Sequence, residues 1–204
     1  MSEKQHTLES EVAYLKGLAE AGRAAPLQTG PYLIAGGAWF GAASGTLSLS
    51  QLGVIALPES AIWWVWIVAA LGFGATLFGL IRRDRAHGEP GHNYLINAAW
   101  SGAGFGIFTF WAAATLMATQ LNNGIILSTM SLLVLVMYGV VWWITGTLTG
   151  QVWMRTIAFI AFAATIPIAV AAGSPYEWLA YTGALVNTAL LPGIYLVRNG
   201  GRMV

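Results

Sequence analysis

Apolar residues along this chain gather in six long blocks instead of alternating with polar ones. They lie near Tyr32–Leu52, Ile62–Ile81, Leu95–Ala118, Ile125–Ile144, Trp153–Ala172 and Trp178–Val197. An α-helix rises about 1.5 Å per residue, so a hydrocarbon core about 30 Å thick takes roughly 20 of them. Each block therefore predicts one membrane-spanning helix. Barrel strands would need a sustained two-residue alternation, which the glycine-rich blocks lack.

A different pattern precedes the first block. Leu8, Val12, Leu15 and Ala19 recur at helical spacing and Leu18 widens the stripe, while Glu9 and Glu11 suit a first turn and Gly22 suits a stop. This predicts a short amphipathic helix lying on the membrane surface. Its lead, Met1-Ser2-Glu3-Lys4-Gln5-His6, is polar and mixed in charge, unlike a cleavable signal peptide. The predicted organisation is an N-terminal segment over 1–24, followed by a six-helix membrane domain over 25–204. The fold class is all-α and polytopic.

Composition agrees. The 204 residues are 57% hydrophobic and 8% charged, against about 25% charged in an ordinary soluble domain. Net charge is +1, which gives no electrostatic footprint for nucleic acid. Without cysteine, disulfides and thiolate chemistry are excluded.

Charge placement sets the expected orientation. Lys4, Lys16 and Arg23 precede the first block; Arg82, Arg83 and Arg85 follow the second; Arg155 follows the fourth; Arg198 and Arg202 follow the sixth. All nine basic residues fall on one side. The opposite loops, Pro58-Glu59-Ser60, Gln120-Leu121-Asn122-Asn123 and Ser174-Pro175-Tyr176-Glu177, hold none. The positive-inside rule then predicts both termini in the cytoplasm and an integral protein of a bacterial inner membrane.

The first, third and fifth blocks begin about 60 residues apart, and Tyr32-Leu33-Ile34 before Trp39 is echoed by Tyr94-Leu95-Ile96 before Trp100. Three similar hairpins are expected. Gly37, Gly41 and Gly45, and likewise Gly102 and Gly106, stand four apart, a spacing that lets helix backbones approach closely. Pro167 and Pro192 should bend the last two helices, with Thr165 and Thr188 near enough to serve the freed carbonyls.

No Asp, Glu, Lys or His falls inside a predicted span, and Arg155 stands only at the start of the fifth, which argues against a carboxylate-driven pump, an intramembrane hydrolase and bis-histidine haem. No cofactor or metal is expected. Asp84, His87, Glu89 and His92 share one loop, but its Gly88, Pro90 and Gly91 mark a solvated turn. Neutral polar residues do enter the spans: Asn97, Ser101, Thr109, Ser128, Tyr138, Thr165, Asn187 and Thr188. They serve either helix packing or a narrow path for a small solute.

Ala25-Pro26-Leu27 before the first span, Tyr32 just inside it, Asn93 and Trp100 around the start of the third, and Gly146-Thr147-Leu148-Thr149-Gly150 after the fourth carry a resemblance. The chain resembles the acetate/succinate channel-transporter family. That resemblance implies six spans, a homo-oligomer (a hexamer in the family) and passage of short carboxylic acids. It implies Tyr32 at a constriction, whereas Ala103 and Ala161 stand where the family has a bulky tyrosine and leucine, leaving Trp100, Phe105 or Phe159 to substitute. Arg23-Ala24 and Gln28 also depart from the family's signature.

The expected function is that of a non-enzymatic passive channel or transporter for a small solute such as acetate. Tyr32, Trp100, Phe105 and Phe159 would narrow the path, and Asn97 and Ser101 would offer hydrogen bonds. The competing expectation is a non-transporting scaffold or sensor that docks a cytoplasmic protein through Leu8, Val12 and Leu15. Lipid is a partner in either case.

Overall fold

The computed structural model describes residues 29–86 and 94–199. They form helices α1 (Gly30–Gln51), α2 (Glu59–Ala86), α3 (Tyr94–Gln120), α4 (Thr129–Thr149), α5 (Val152–Ala171), α6 (Glu177–Leu185) and α7 (Leu191–Asn199). A 3-10 turn, Gly124–Ser128, leads into α4, and a π turn, Val186–Leu190, joins α6 to α7 in one continuous rod. No strand occurs among the described residues. The described residues thus form six helical rods, consistent with an integral membrane protein. The helices outlast the expected spans where they meet arginines: α2 runs on to Ala86, and α7 through Arg198.

Five rods are long and apolar enough to cross a bilayer: 60–85, 95–120, 124–149, 152–171 and 177–199. The 22-residue α1 is not among them, because glycines and serines dilute its apolar content. Packing supplies the reason such a helix is tolerated. The α1 helix lies along α2 on one flank and along the α6–α7 rod on the other, and Leu33, Ala35, Gly37, Ser44, Leu47 and Ser48 are all buried. Small polar side chains suit a helix whose neighbours are mostly protein.

The α4–α5 pair has the most extensive packing, and α3 lies along α4. One buried cluster joins Leu33, Ile96, Trp142, Met154, Ala158, Ala189 and Leu196; a second joins Leu135, Ile168, Tyr181, Ala184 and Leu185. Tyr138 packs against both. The connection from α4 to α5 is tight because Gly150 adopts φ 73°, a left-handed conformation that glycine reaches without strain.

One bundle end carries the described arginines. The Tyr32 hydroxyl donates a 2.6 Å hydrogen bond to Asp84 Oδ2, tying the start of α1 to the end of α2, and Arg83 pairs with Asp84 Oδ1 at 3.1 Å. Arg155 lies against Gly146, and Val197, next to Arg198, lies against Gly30. The loops 52–58 and 172–176 are at the other end.

The segment 1–24 with Leu8, Val12 and Leu15, together with Ala25-Pro26-Leu27, His87, Glu89, His92 and Asn93, lies outside the described residues.

Candidate functional site

The sixth rod is the irregular one, and its irregularity has a local cause. In a regular helix the amide of residue 192 would bond the carbonyl of Thr188, but proline has no N–H. The rod widens into a π turn, a feature frequent at functional sites. Trp142, fully buried on α4, donates its indole N–H to the Thr188 carbonyl at 2.8 Å. The Thr188 hydroxyl turns to the Ala184 carbonyl instead (2.7 Å), and the Asn187 amide caps the Gly183 carbonyl (2.8 Å). Thr165 bonds the Phe162 carbonyl at 2.6 Å, so neither threonine serves the acceptor that its neighbouring proline frees.

The π turn presses on α1. A Cβ on Gly37 would meet the Leu190 backbone at 2.8 Å, and one on Gly193 would meet the Gly30 carbonyl at 2.9 Å. Gly37 therefore makes the close helix approach expected of it. Gly45 faces Thr182 at ordinary contact distance, Gly41 is buried with open space at its Cβ position, Gly102 is exposed, and Gly106 meets only the end of Met137. The tight glycines outside the two expected stripes are Gly30, Gly72 under the Trp39 ring, Gly139 under Phe162, Gly146 and Gly193. No periodic signal marks them, because each accommodates a different neighbour.

Around Trp142 runs a chain of aromatic rings. Tyr138, Trp100, Trp142, Trp153 and Tyr195 follow one another at centroid separations of 5.6, 5.6, 5.8 and 5.0 Å. Trp100 meets both of its neighbours edge-on, an arrangement favoured by ring quadrupoles. Its own indole nitrogen is buried and has no hydrogen-bond partner among the described residues. Across this junction, a Cβ on Gly36 would stand 3.3 Å from the Tyr138 hydroxyl and 3.6 Å from Phe73. Residues of α1, α2, α3 and α4 thus converge on one place, with an indole donor and a phenol inside it.

The six residues expected to line a path do not converge as a set. Trp100 lies at this junction, and the half-buried Asn97 lies one helical turn before it on α3. Tyr32 is tied to Asp84 near the arginine end. Ser101 is exposed, Phe105 is 75% exposed, and Phe159 is 60% exposed, turned outward against Trp143. Ala103 and Ala161 are both buried.

Glu177 differs most from its reading as a loop residue. It opens α6 and is only 3% exposed. The tight turn before it, with Gly173 at φ 74°, folds the carboxylate back so that Oε2 accepts the Gly173 N–H at 2.7 Å. The shortness of this turn, invisible in hydropathy, is what draws the side chain inward. Among the described residues no group of three His, Cys, Asp or Glu side chains is arranged to hold a metal ion.

The chain matches no family model, and no curated protein or solved structure matches it.

Proposed function

We propose that the protein is a passive channel or simple transporter for a small solute, in the range of a short monocarboxylic acid such as acetate entering in its protonated form. The supporting observation is the Trp100 indole N–H, a buried donor without a partner among the described residues, where α1, α2, α3 and α4 converge. Buried donors are normally satisfied, so one left open among aromatic walls suits a ligand carbonyl or carboxyl oxygen. Tyr138 offers a hydroxyl beside it. Asn97, a turn away, supplies a second polar contact. This reading places the path at the junction itself, with Tyr32 and Asp84 at its arginine end.

The same proposal takes the six rods as three hairpins of like sense, places the arginine end and both termini in the cytoplasm of a bacterial cell, and makes the protein a homo-oligomer like the channel family its sequence resembles. The exposed aromatics Phe105 and Phe159 then face lipid or a second copy of the chain.

Uptake of labelled acetate into proteoliposomes tests the proposal. The expected result is influx above that of empty liposomes, faster at about pH 5 than at about pH 7 because the neutral acid predominates only toward carboxyl pKa values. Flux equal to that of empty liposomes across this window would sink it.

A further inference from the structure

The antiparallel α4–α5 pair carries a seam that can be followed level by level from the arginine end. A Cβ on Gly146 would stand 2.8 Å from Arg155 Cγ, Trp143 meets Phe159 edge-on at 5.3 Å, and Gly139 lies under the Phe162 ring. Beyond Phe162 the seam widens into a groove of about 520 Å³ lined by Leu132, Val136, Thr165, Ile166, Ala169 and Val170. Trp143, Phe159, Ile166 and Val170 are exposed, so the seam opens outward. The Thr165 hydroxyl is turned to the Phe162 carbonyl at 2.6 Å, which leaves the groove wall apolar.

At its arginine end the seam holds a cation without a counter-charge. Arg155 Nε is out of contact with solvent and has no hydrogen-bond partner, and Arg155 makes no ion pair among the described residues. A buried donor left open is rare, and one on a guanidinium is costly. The carboxylates are engaged elsewhere. Asp84 is bonded by Tyr32 and Arg83, and Glu177 bonds Gly173 at the other end of the bundle. The sequence has no Asp or Glu between Glu89 and Glu177, so neither α4 nor α5 supplies one.

We infer that the α4–α5 seam binds a phospholipid of the leaflet at the arginine end, with Arg155 on its phosphate diester and an acyl chain laid over Trp143 and Phe159 into the groove. Charge complementarity selects this occupant. The Nε–H and Nη–H groups of a guanidinium form a fork that matches two phosphate oxygens, and basic sites between membrane helices take lipid phosphates. Length agrees with it. From Arg155 to Thr165 is ten residues, about 15 Å of helix rise, which is half of a hydrocarbon core about 30 Å thick. A headgroup at Arg155 thus brings the end of its chain to the groove. A second copy of the chain fits less well, because its described carboxylate at this end, Asp84, is already bonded. An anionic headgroup such as that of phosphatidylglycerol, which brings no ammonium of its own, is preferred over phosphatidylcholine. This inference does not rest on the transport reading.

The test is native mass spectrometry of the purified full chain in detergent, incubated with equal amounts of phosphatidylglycerol and phosphatidylcholine. The expected result is selective retention of phosphatidylglycerol, several-fold lower in Arg155→Gln and unchanged in Arg198→Gln, whose exposed arginine lies off the seam on α7. Should Arg155→Gln not fold, Ala169→Phe leaves the guanidinium in place, fills the groove and lowers retention several-fold. Retention of both lipids alike, or retention unchanged in both seam variants, overturns the inference. Equal losses in Arg155→Gln and Arg198→Gln make the arginines a diffuse basic belt and overturn it as well. Inorganic phosphate that displaces the lipid at matching concentration reduces the seam to an anion site, and self-association lost in Ala169→Phe with lipid retention intact gives the groove to a second copy; either result overturns it. Acetate flux is not the readout, so a failure of transport leaves the outcome unaffected.

Discussion

The Trp142 indole donates to the Thr188 carbonyl across the gap that Pro192 opens in the sixth rod, at 2.8 Å and out of contact with solvent. A helix defect is thereby repaired from a neighbouring helix instead of from within, and the repair fixes α4 against the π turn at the bundle centre. Trp142 packs in the same cluster as Leu33, Met154 and Ala189, so the bond is set in surroundings already excluded from water.

Replacing Trp142 by Phe should cost about 1–3 kcal/mol of stability, because the Thr188 carbonyl is left buried and unpaired. Pro192→Ala restores an amide in the position that normally bonds this carbonyl, so the loss from Trp142→Phe should shrink in the double variant. A double-mutant cycle on unfolding in mixed detergent reads the coupling. Additive losses would show that the indole acts by bulk alone.

Gly37 and Gly102 share a sequence pattern and differ in structure, which gives a paired prediction. Gly37→Ala drives a methyl into the Leu190 backbone and should cost about 1–3 kcal/mol, since neither helix can yield without moving its neighbours. Gly102→Ala points into open space and should stay within about 0.5 kcal/mol of the parent, as surface substitutions usually do. Thermal unfolding of the two variants side by side checks both.

The contrast between these glycines also shows what hydropathy and spacing can convey. The number and order of the described rods are legible, because every rod must solve the same problem of length against lipid, whereas their ends are not: α2 runs five residues past the expected Ile81 and α4 starts four after the expected Ile125. Even the serine-rich α1 was legible as a helix, although its small polar residues signal burial against protein. The sites were less so. Phe105 and Phe159 are aromatic residues in spans, and nothing along the chain distinguishes an outward ring from an inward one such as Trp100. The Trp142 repair of Thr188 links residues 46 apart. Its only sequence trace was Pro192, which announces a free carbonyl but not its partner. The sequence pattern places Glu177 in a loop, since its burial depends on a turn of a few residues at Gly173.

The bond from Tyr32 to Asp84 should hold the start of α1 on the end of α2. Tyr32→Phe removes the hydroxyl that donates at 2.6 Å while keeping the ring, and the expected loss is about 0.5–1.5 kcal/mol, the net worth of a partly exposed hydrogen bond. Asp84→Asn retains an acceptor oxygen and should lose less than Asp84→Ala. Amide exchange across the first turn of α1 is the measurement, with faster exchange in Tyr32→Phe and Asp84→Ala than in Asp84→Asn. Equal protection in all three would remove this contact from any role in anchoring the helix.

If the junction around Trp100 is the solute path, flux should follow position instead of aromatic character. Trp100→Phe keeps a ring and removes the unpartnered indole donor, and Tyr138→Phe removes the neighbouring hydroxyl. Each should lower acetate flux in proteoliposomes several-fold, since a lost hydrogen bond of about 1.4 kcal/mol corresponds to roughly a tenfold change where it acts at the limiting step. Phe105→Ala and Phe159→Ala remove outward-facing rings and should leave flux per protomer close to that of the parent. If instead these two variants abolished flux at normal protein levels while Trp100→Phe did nothing, the path would run over the outer faces of α3 and α5. The junction would then be packing alone, and the conducting unit would have to form between copies of the chain.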